Sequence, residues 1–548
     1  MTSGSSSRRR VRAATAGLAV TALALSACGG GDDDGGGGSG GGGGDTLTIG
    51  TSDKITTIDP AGSYDNGSFA VMNQVFPFLM NTNYGSPDVE PDIAESAEFT
   101  APTQYTVTLK PDLKWANGND LTASDVKFTF DRQLAINDPN GPASLLYNLE
   151  STEVVDDLTV TFNLKTENDQ VFPLILSSPA GPIVDEDVFS ATTLTPDQEI
   201  VDGNAFHGPY TITNYDLNNL VSYEAYPDYQ GLLGAPKTER INVRYYADSS
   251  NLKLDIEQGN IDVAFRSLSA TDIDDLRGNE DVEVVEGPGG EIRYIVFNFN
   301  TQPYGASTPE ADPAKAQAVR QAMAHLIDRE EIAEQVYRGT YTPLYSHVPE
   351  GLTGAVQPLL EMYGDGNGGA GPDKAAQVLQ AAGVQTPVQL SLQYSNDHYG
   401  PSSGDEYALI KDQLESSGLF TVDLQTTEWV QYSEDRVADV YPAYQLGWFP
   451  DYSDADNYLT PFFLTENFLS NHYANQQVND LILQQATTAD PAERTALIEQ
   501  IQELVAQDLS TLPYLQGAQV AVVRAGVDGA QDTLDASFKF RYGALSQG

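Results

Sequence analysis

Cysteine is all but missing: the 548-residue chain carries one, Cys28, so no intrachain disulfide and no cysteine-built metal site can form. The five histidines, His207, His325, His347, His398 and His472, include no H-E-x-x-H pair, which removes the common zinc-hydrolase signature. Basic residues are also scarce, 28 Lys and Arg against 78 Asp and Glu, giving a net charge of −50. A surface of that sign repels a phosphate backbone and excludes nucleic acid as a partner. Long apolar runs are lacking too. The one continuous run, residues 13–25, is shorter than the roughly 20 residues that a hydrocarbon core demands. Internal repeats are absent, and past residue 45 there is no second low-complexity linker.

What the N-terminus does hold is a graded leader. Arg8, Arg9, Arg10 and Arg12 precede the apolar run, and Leu25-Ser26-Ala27-Cys28 closes it. Residues 1–27 therefore predict a cleaved export signal. The closing tetrapeptide resembles a bacterial lipobox, which implies a lipid on Cys28 and an anchor on the outer face of the cell membrane. Residues 28–45 are nearly all glycine and predict a flexible tether. Within it, Gly37 to Gly41 matches the nucleophile-elbow pattern G-x-S-x-G, but no strand precedes the match and no helix follows, so it carries no hydrolase reading.

From residue 46 onward strand and helix patterns mix, and the fold class is α/β. Alternation predicts strands over 46–51, 104–110 and 158–165, the last two reading as a hairpin, and a long half-buried strand over 292–300. Helical spacing and caps predict helices over 123–136, opened by Thr122 and Asp125, and over 315–328, 374–382, 405–417 and 491–508. Gly364, Gly366 and Gly369 match G-x-G-x-x-G but lack the βαβ setting of a dinucleotide site, so a flexible surface loop is expected. Asp451, Asp454 and Asp456 offer oxygen ligands without the glycine and terminal glutamate of a calcium loop, and no metal or other cofactor is expected.

Six segments appear in one order: ITTIDPAGS, LKWANGNDLTASDVKFTFDR, HGPYTITNYD, LDIEQGNIDVAF, VRQAMAHLIDREEIAEQVYRGTYTPLYSHVP and GWFPDYSDADNYLTPFF. Together they make the chain resemble the family 5 solute-binding proteins, the dipeptide and oligopeptide binders of ABC importers. The resemblance implies a two-lobed periplasmic-binding-protein-like body that closes by a hinge. Lobe I would comprise residues 46–90, 207–287 and 517–548, with an inserted subdomain at 91–206 and lobe II at 288–516. It further implies a monomeric, non-enzymatic receptor that takes short peptides and delivers them to an ABC permease with its ATPase subunits.

The same resemblance assigns the site. The ligand backbone would lie along Gly447, Trp448 and Phe449, and the Asp451 carboxylate would pair with the α-ammonium. Trp429 would wall the pocket, and Tyr294 would line it. Lys54, Ile55 and Thr56 would approach from lobe I. For Arg436 a contact to the ligand carboxylate and a plain place on a helix face stand level, and the family's other arginine position holds Gln445 here. Two alternatives remain: the same fold carrying a nickel chelate, an opine or a sugar, and a secreted hydrolase.

Overall fold

The structure is a computed structural model that describes residues 46–400, 402–465 and 467–548. The leader, the tether, Cys28 and the G-x-S-x-G match lie outside the described residues. Among the described residues no helix is long and apolar enough to cross a membrane.

An eleven-stranded mixed sheet organises the body. Its two longest strands, Val282–Phe297 and Thr511–Arg524, run antiparallel side by side in the middle. Toward one end lie Val263–Phe265, Thr46–Thr51, Arg240–Tyr245, Leu220–Ala225 and Tyr210–Asp216; toward the other lie Ala443–Trp448, Val388–Ser395 and Phe420–Thr427, and the short Tyr341–Pro343 pairs off this path with Thr511–Arg524. Both halves thus share the two central strands, and each has its own core. One core gathers Ile49, Val71, Tyr223 and Val243, the other Met323, Leu390, Ile410 and Leu512. The outcome is the two-lobed α/β architecture expected.

Between the two halves the central ladder breaks. Pairing runs from Val282 opposite Arg524 to Pro288 opposite Ala518, then resumes at Ile292 opposite Gln516. Three residues therefore have no cross-strand partner, a bulge of the kind that bends a strand. Close packing demands glycine here: a Cβ on Gly287 would come within 2.3 Å of the Leu534 carbonyl oxygen, and one on Gly289 within 2.1 Å of that of Gly517.

A separate four-stranded sheet, Ala94–Ala101, Gln104–Leu109, Thr159–Leu164 and Leu149–Asp156 in that order, holds a third core around Trp115, Phe130, Phe162 and Phe172. The two segments read as one hairpin do pair, Tyr105 opposite Phe162, but each makes its own hairpin with another strand. A buried ion pair binds this sheet's helix to the first lobe: the Arg132 guanidinium donates to both carboxylate oxygens of Asp59 at 2.8 and 2.6 Å.

Most predicted helices form. Ala123–Ile136 opens with the Thr122–Asp125 capping box, and Pro313–Leu326, Pro372–Ala381, Ser403–Ser416 and Pro491–Asp508 follow within a few residues of expectation. Two expectations change. The strand predicted over 292–300 begins at Val282 and is buried from Gly289 onward, because it lies inside the sheet rather than half against solvent. The glycine loop at 364–371 is folded back on itself, with the Gly364 N–H donating to His325 Nδ1 at 3.0 Å and the Asp365 N–H to the Gly369 carbonyl at 2.9 Å.

Candidate functional site

The strand Ala443–Trp448 is asymmetric in its pairing. One edge is fully laddered onto residues 292–297, with Gly447 opposite Arg293 and Trp448 opposite Ile292. On the other edge Val388–Ser395 reaches only Ala443 and Tyr444. Among the described residues no strand covers that edge beyond Tyr444; the Tyr432 hydroxyl caps it at Gln445, donating to the Gln445 carbonyl at 2.7 Å, Leu446 is buried, and only Gly447 and Trp448 are half-buried. Gly447 has no space for a side chain, since a Cβ would stand 2.9 Å from the Tyr399 ring.

The chain then turns through Phe449 and Pro450 to Asp451, which is half-buried. Asn457 fixes it: the Asn457 Oδ1 accepts the Asp451 N–H at 2.9 Å, and its Nδ2 donates to Asp451 Oδ2 at 3.1 Å. The same Asn457 Oδ1 accepts the indole N–H of Trp448 at 3.0 Å, so one amide orients both residues. The other carboxylate oxygen, Oδ1, accepts from the hydroxyl of Tyr64, a residue of the N-terminal segment. No basic side chain among the described residues pairs with Asp451. Burial pushes its carboxyl above the usual range, while the Tyr64 and Asn457 hydrogen bonds pull the other way.

Aromatic rings continue from Trp448. Its ring meets Phe468 at 5.6 Å, and the Arg436 guanidinium lies over the same Phe468 ring at 4.7 Å. Arg436 is buried, donates from Nη1 to the Phe468 carbonyl at 3.4 Å, and has no partner for Nε. No carboxylate among the described residues forms an ion pair with it. Trp448 is thus linked to Asp451 through Asn457 and to Arg436 through Phe468, and neither charge forms an ion pair among the described residues. Nearby, Trp429 stacks on His398 at 3.6 Å with the planes 4° apart, and stands edge-on to Tyr399 at 5.5 Å.

Comparison with known proteins identifies the family. The model for bacterial extracellular solute-binding proteins, family 5, matches residues 88–470. The chain belongs to that family. Among curated relatives it is 25% identical to the glutathione-binding protein GsiB of Escherichia coli K12 over 512 residues, covering 90% of this chain and 93% of that one. It is 24% identical to the dipeptide-binding protein DppE of Bacillus subtilis over 510 residues, covering 88% and 89%. The fold matches that of the ABC transporter substrate-binding protein CtaP of Listeria monocytogenes with a TM-score of 0.75 at 24% identity, covering 92% of this chain and 99% of that one.

The remaining residues singled out from the sequence are spread unevenly in this family 5 body. Tyr294 is wholly buried; its ring packs on His347 and Phe462, and its hydroxyl donates to the Gly447 carbonyl at 3.4 Å, so it reaches the strand edge only from beneath. The Ile55 N–H and carbonyl are both taken by Asn218, and the Thr56 N–H by Ser68 Oγ. Lys54 and Thr56 are both exposed, and the Lys54 backbone packs on Gly67, where a Cβ would come within 2.0 Å of the Lys54 carbonyl oxygen. Gln445 is a buried brace, accepting the Ser395 N–H at 3.2 Å and donating to Ser403 Oγ at 3.3 Å. Asp454 is spent on a two-pronged pair with Arg494 at 2.8 and 2.6 Å, and Asp456 accepts from Tyr452, Thr460 and Gln485. Tyr64, Tyr399 and Asn457 escaped sequence reading, although Asn457 lies within the GWFPDYSDADN segment.

Proposed function

We propose that this family 5 protein captures short peptides between its lobes and hands them to an ABC permease, itself catalysing nothing. The observation that carries the reading is the half-buried strand end at Gly447 and Trp448, which no strand covers on one side and which runs into the turn to Asp451. An extended peptide laid there gains main-chain hydrogen bonds whatever its side chains. Its α-ammonium falls to Asp451, whose carboxylate has only neutral partners, and its carboxylate to Arg436, whose buried guanidinium has no carboxylate partner. Gly447, Trp448 and Phe449 serve as the backbone track, Trp429 as a side wall, and Lys54 as the approach from the opposite lobe. The names of GsiB and DppE, one a glutathione binder and one a dipeptide binder, favour the same ligand class.

The lobes, divided at about residues 287–288 and 516–517, close by bending the two central strands where their ladder is broken. The leader is removed, and Cys28 bears a lipid that holds the protein on the outer face of the membrane, with residues 29–45 as the tether. Native mass spectrometry of protein purified from its host tests the reading. Retained masses matching short peptides are expected. A single retained non-peptide mass would keep the fold and replace the ligand.

A further inference from the structure

A second charged feature faces the lobe boundary and is used by nothing above. The strand Val263–Phe265 ends at Arg266 and Ser267, two successive non-glycine residues in the left-handed region, with φ of 55° and 67°. Such a pair is costly and persists only where its surroundings fix it. Here the Arg266 N–H donates to the Val520 carbonyl at 3.2 Å, and Ser267 Oγ accepts the Ser52 N–H at 2.9 Å. The turn sets the Arg266 guanidinium against a pair of touching aromatic rings, 4.8 Å from Phe538 in the C-terminal tail and 5.5 Å from Phe449 in the turn before Asp451, the two rings being 5.2 Å apart. Rings hold a guanidinium by its flat faces and leave its edge N–H groups for other partners.

Those groups are mostly idle. Of the five N–H donors of an arginine, one meets Asp53 Oδ2 at 3.2 Å, and no other side-chain hydrogen bond of Arg266 exists among the described residues. Beside it lies a cavity of about 180 Å³, walled by Arg266, Ser267, Leu268, Tyr341, Glu291 and Ala518. At about 30 Å³ per water, that is room for a side chain of modest size. Glu291 does not spoil the wall for an anion. Its carboxylate is held by the buried Arg293 at 2.9 Å and accepts from the Tyr341 hydroxyl at 2.7 Å. On a chain of net charge −50 an acidic ligand needs a local cation to enter at all.

We propose that Arg266 is a specificity residue that draws an acidic side chain of the bound peptide into this cavity. The inference rests on the peptide reading of the cleft. It is tested with alanine tripeptides carrying Glu or the neutral isostere Gln at each position in turn, titrated calorimetrically into the full-length chain. At one position the wild type is expected to bind the Glu peptide at least tenfold tighter than the Gln peptide. Arg266→Gln should collapse that ratio to about one, Arg266→Lys should restore part of it, and Asp53→Asn, which frees the guanidinium, should raise it. A melting temperature for each variant separates lost folding from lost selectivity, and the Asp53→Asn and Arg266→Lys arms decide if Arg266→Gln does not fold. Peptide binding without a Glu preference at any position, or with a preference that Arg266→Gln leaves intact, overturns this proposal alone. If no peptide binds the wild type, the peptide reading falls and this one with it.

Discussion

At the scale of single residues, the site is built from charges left without partners. Asp451 is held by a neutral amide and a neutral hydroxyl, so a ligand amine would meet a carboxylate already aimed and not already paired. Asp451→Asn can keep the Asn457 hydrogen bond through its amide oxygen, removes the charge, and presents its NH2 to the Tyr64 hydroxyl, which would then accept. It is expected to weaken peptides with a free N-terminus by about 2 kcal/mol or more while leaving N-acetylated peptides nearly untouched, as read by calorimetry; equal losses would make the aspartate structural. His347 makes a second residue-scale prediction. Packed among Tyr294, Phe462 and Phe463, it is pushed by burial from 6.5 down to about 3. The unfolded chain therefore binds a proton that the folded one refuses between those values, and this stability, complete above about pH 6.5, is lost as pH falls toward 3. The loss approaches about 1.4 kcal/mol per unit. Melting scans of His347→Phe against the parent should show a shallower decline with acid.

At the scale of elements, the decisive one is Ala443–Trp448, half laddered and half open. Its edge is made approachable by a glycine that cannot be replaced cheaply. Gly447→Ala would push a methyl group into the Tyr399 ring, and since Tyr399 also offers its carbonyl to Arg293 at 2.8 Å, the displacement would spread. A fall in peptide affinity of tenfold or more is expected from Gly447→Ala, with a drop in melting temperature smaller than that of a core cavity mutant. Much at this scale was legible beforehand. Period-two patterning gave Gln104–Leu109, and capping chemistry gave Ala123–Ile136, because both signals are local. Trp448 and Asp451 were singled out by the family resemblance and not by any local pattern. What escaped was non-local: Tyr64 meets Asp451 from 387 positions away, and nothing in either neighbourhood announces the other. Tyr294 comes from the family resemblance alone, which gives a position in the chain but not the burial of the side chain, here complete.

At the scale of the whole molecule, two strands drawn from residues more than two hundred positions apart serve both lobes, which periodicity could not foretell. The C-terminal tail is tied in as well. Lys539 and Arg541, both buried near the C-terminus, donate to Asn81 at 3.2 and 2.6 Å, and Lys539 also to the Ser177 carbonyl at 2.7 Å, stitching tail, first lobe and inserted sheet together. These bonds are internal to one side of the central break and cross-link nothing to the far lobe. They stiffen that side alone and leave compliance to the strands between.

That break has a signature in time as well as in shape. Amides of residues 289–291 lack a cross-strand partner, whereas their neighbours at 292–296 are locked in the ladder. In deuterium exchange the three should label well before the five, even though all are buried. If occupancy of the cleft arrests bending there, adding a bound peptide should slow labelling at 289–291 and leave 292–296 unchanged; equal, slow labelling in both states would place the motion elsewhere. A gap three residues long would then act as a clock for lobe opening, readable without any probe attached to the protein.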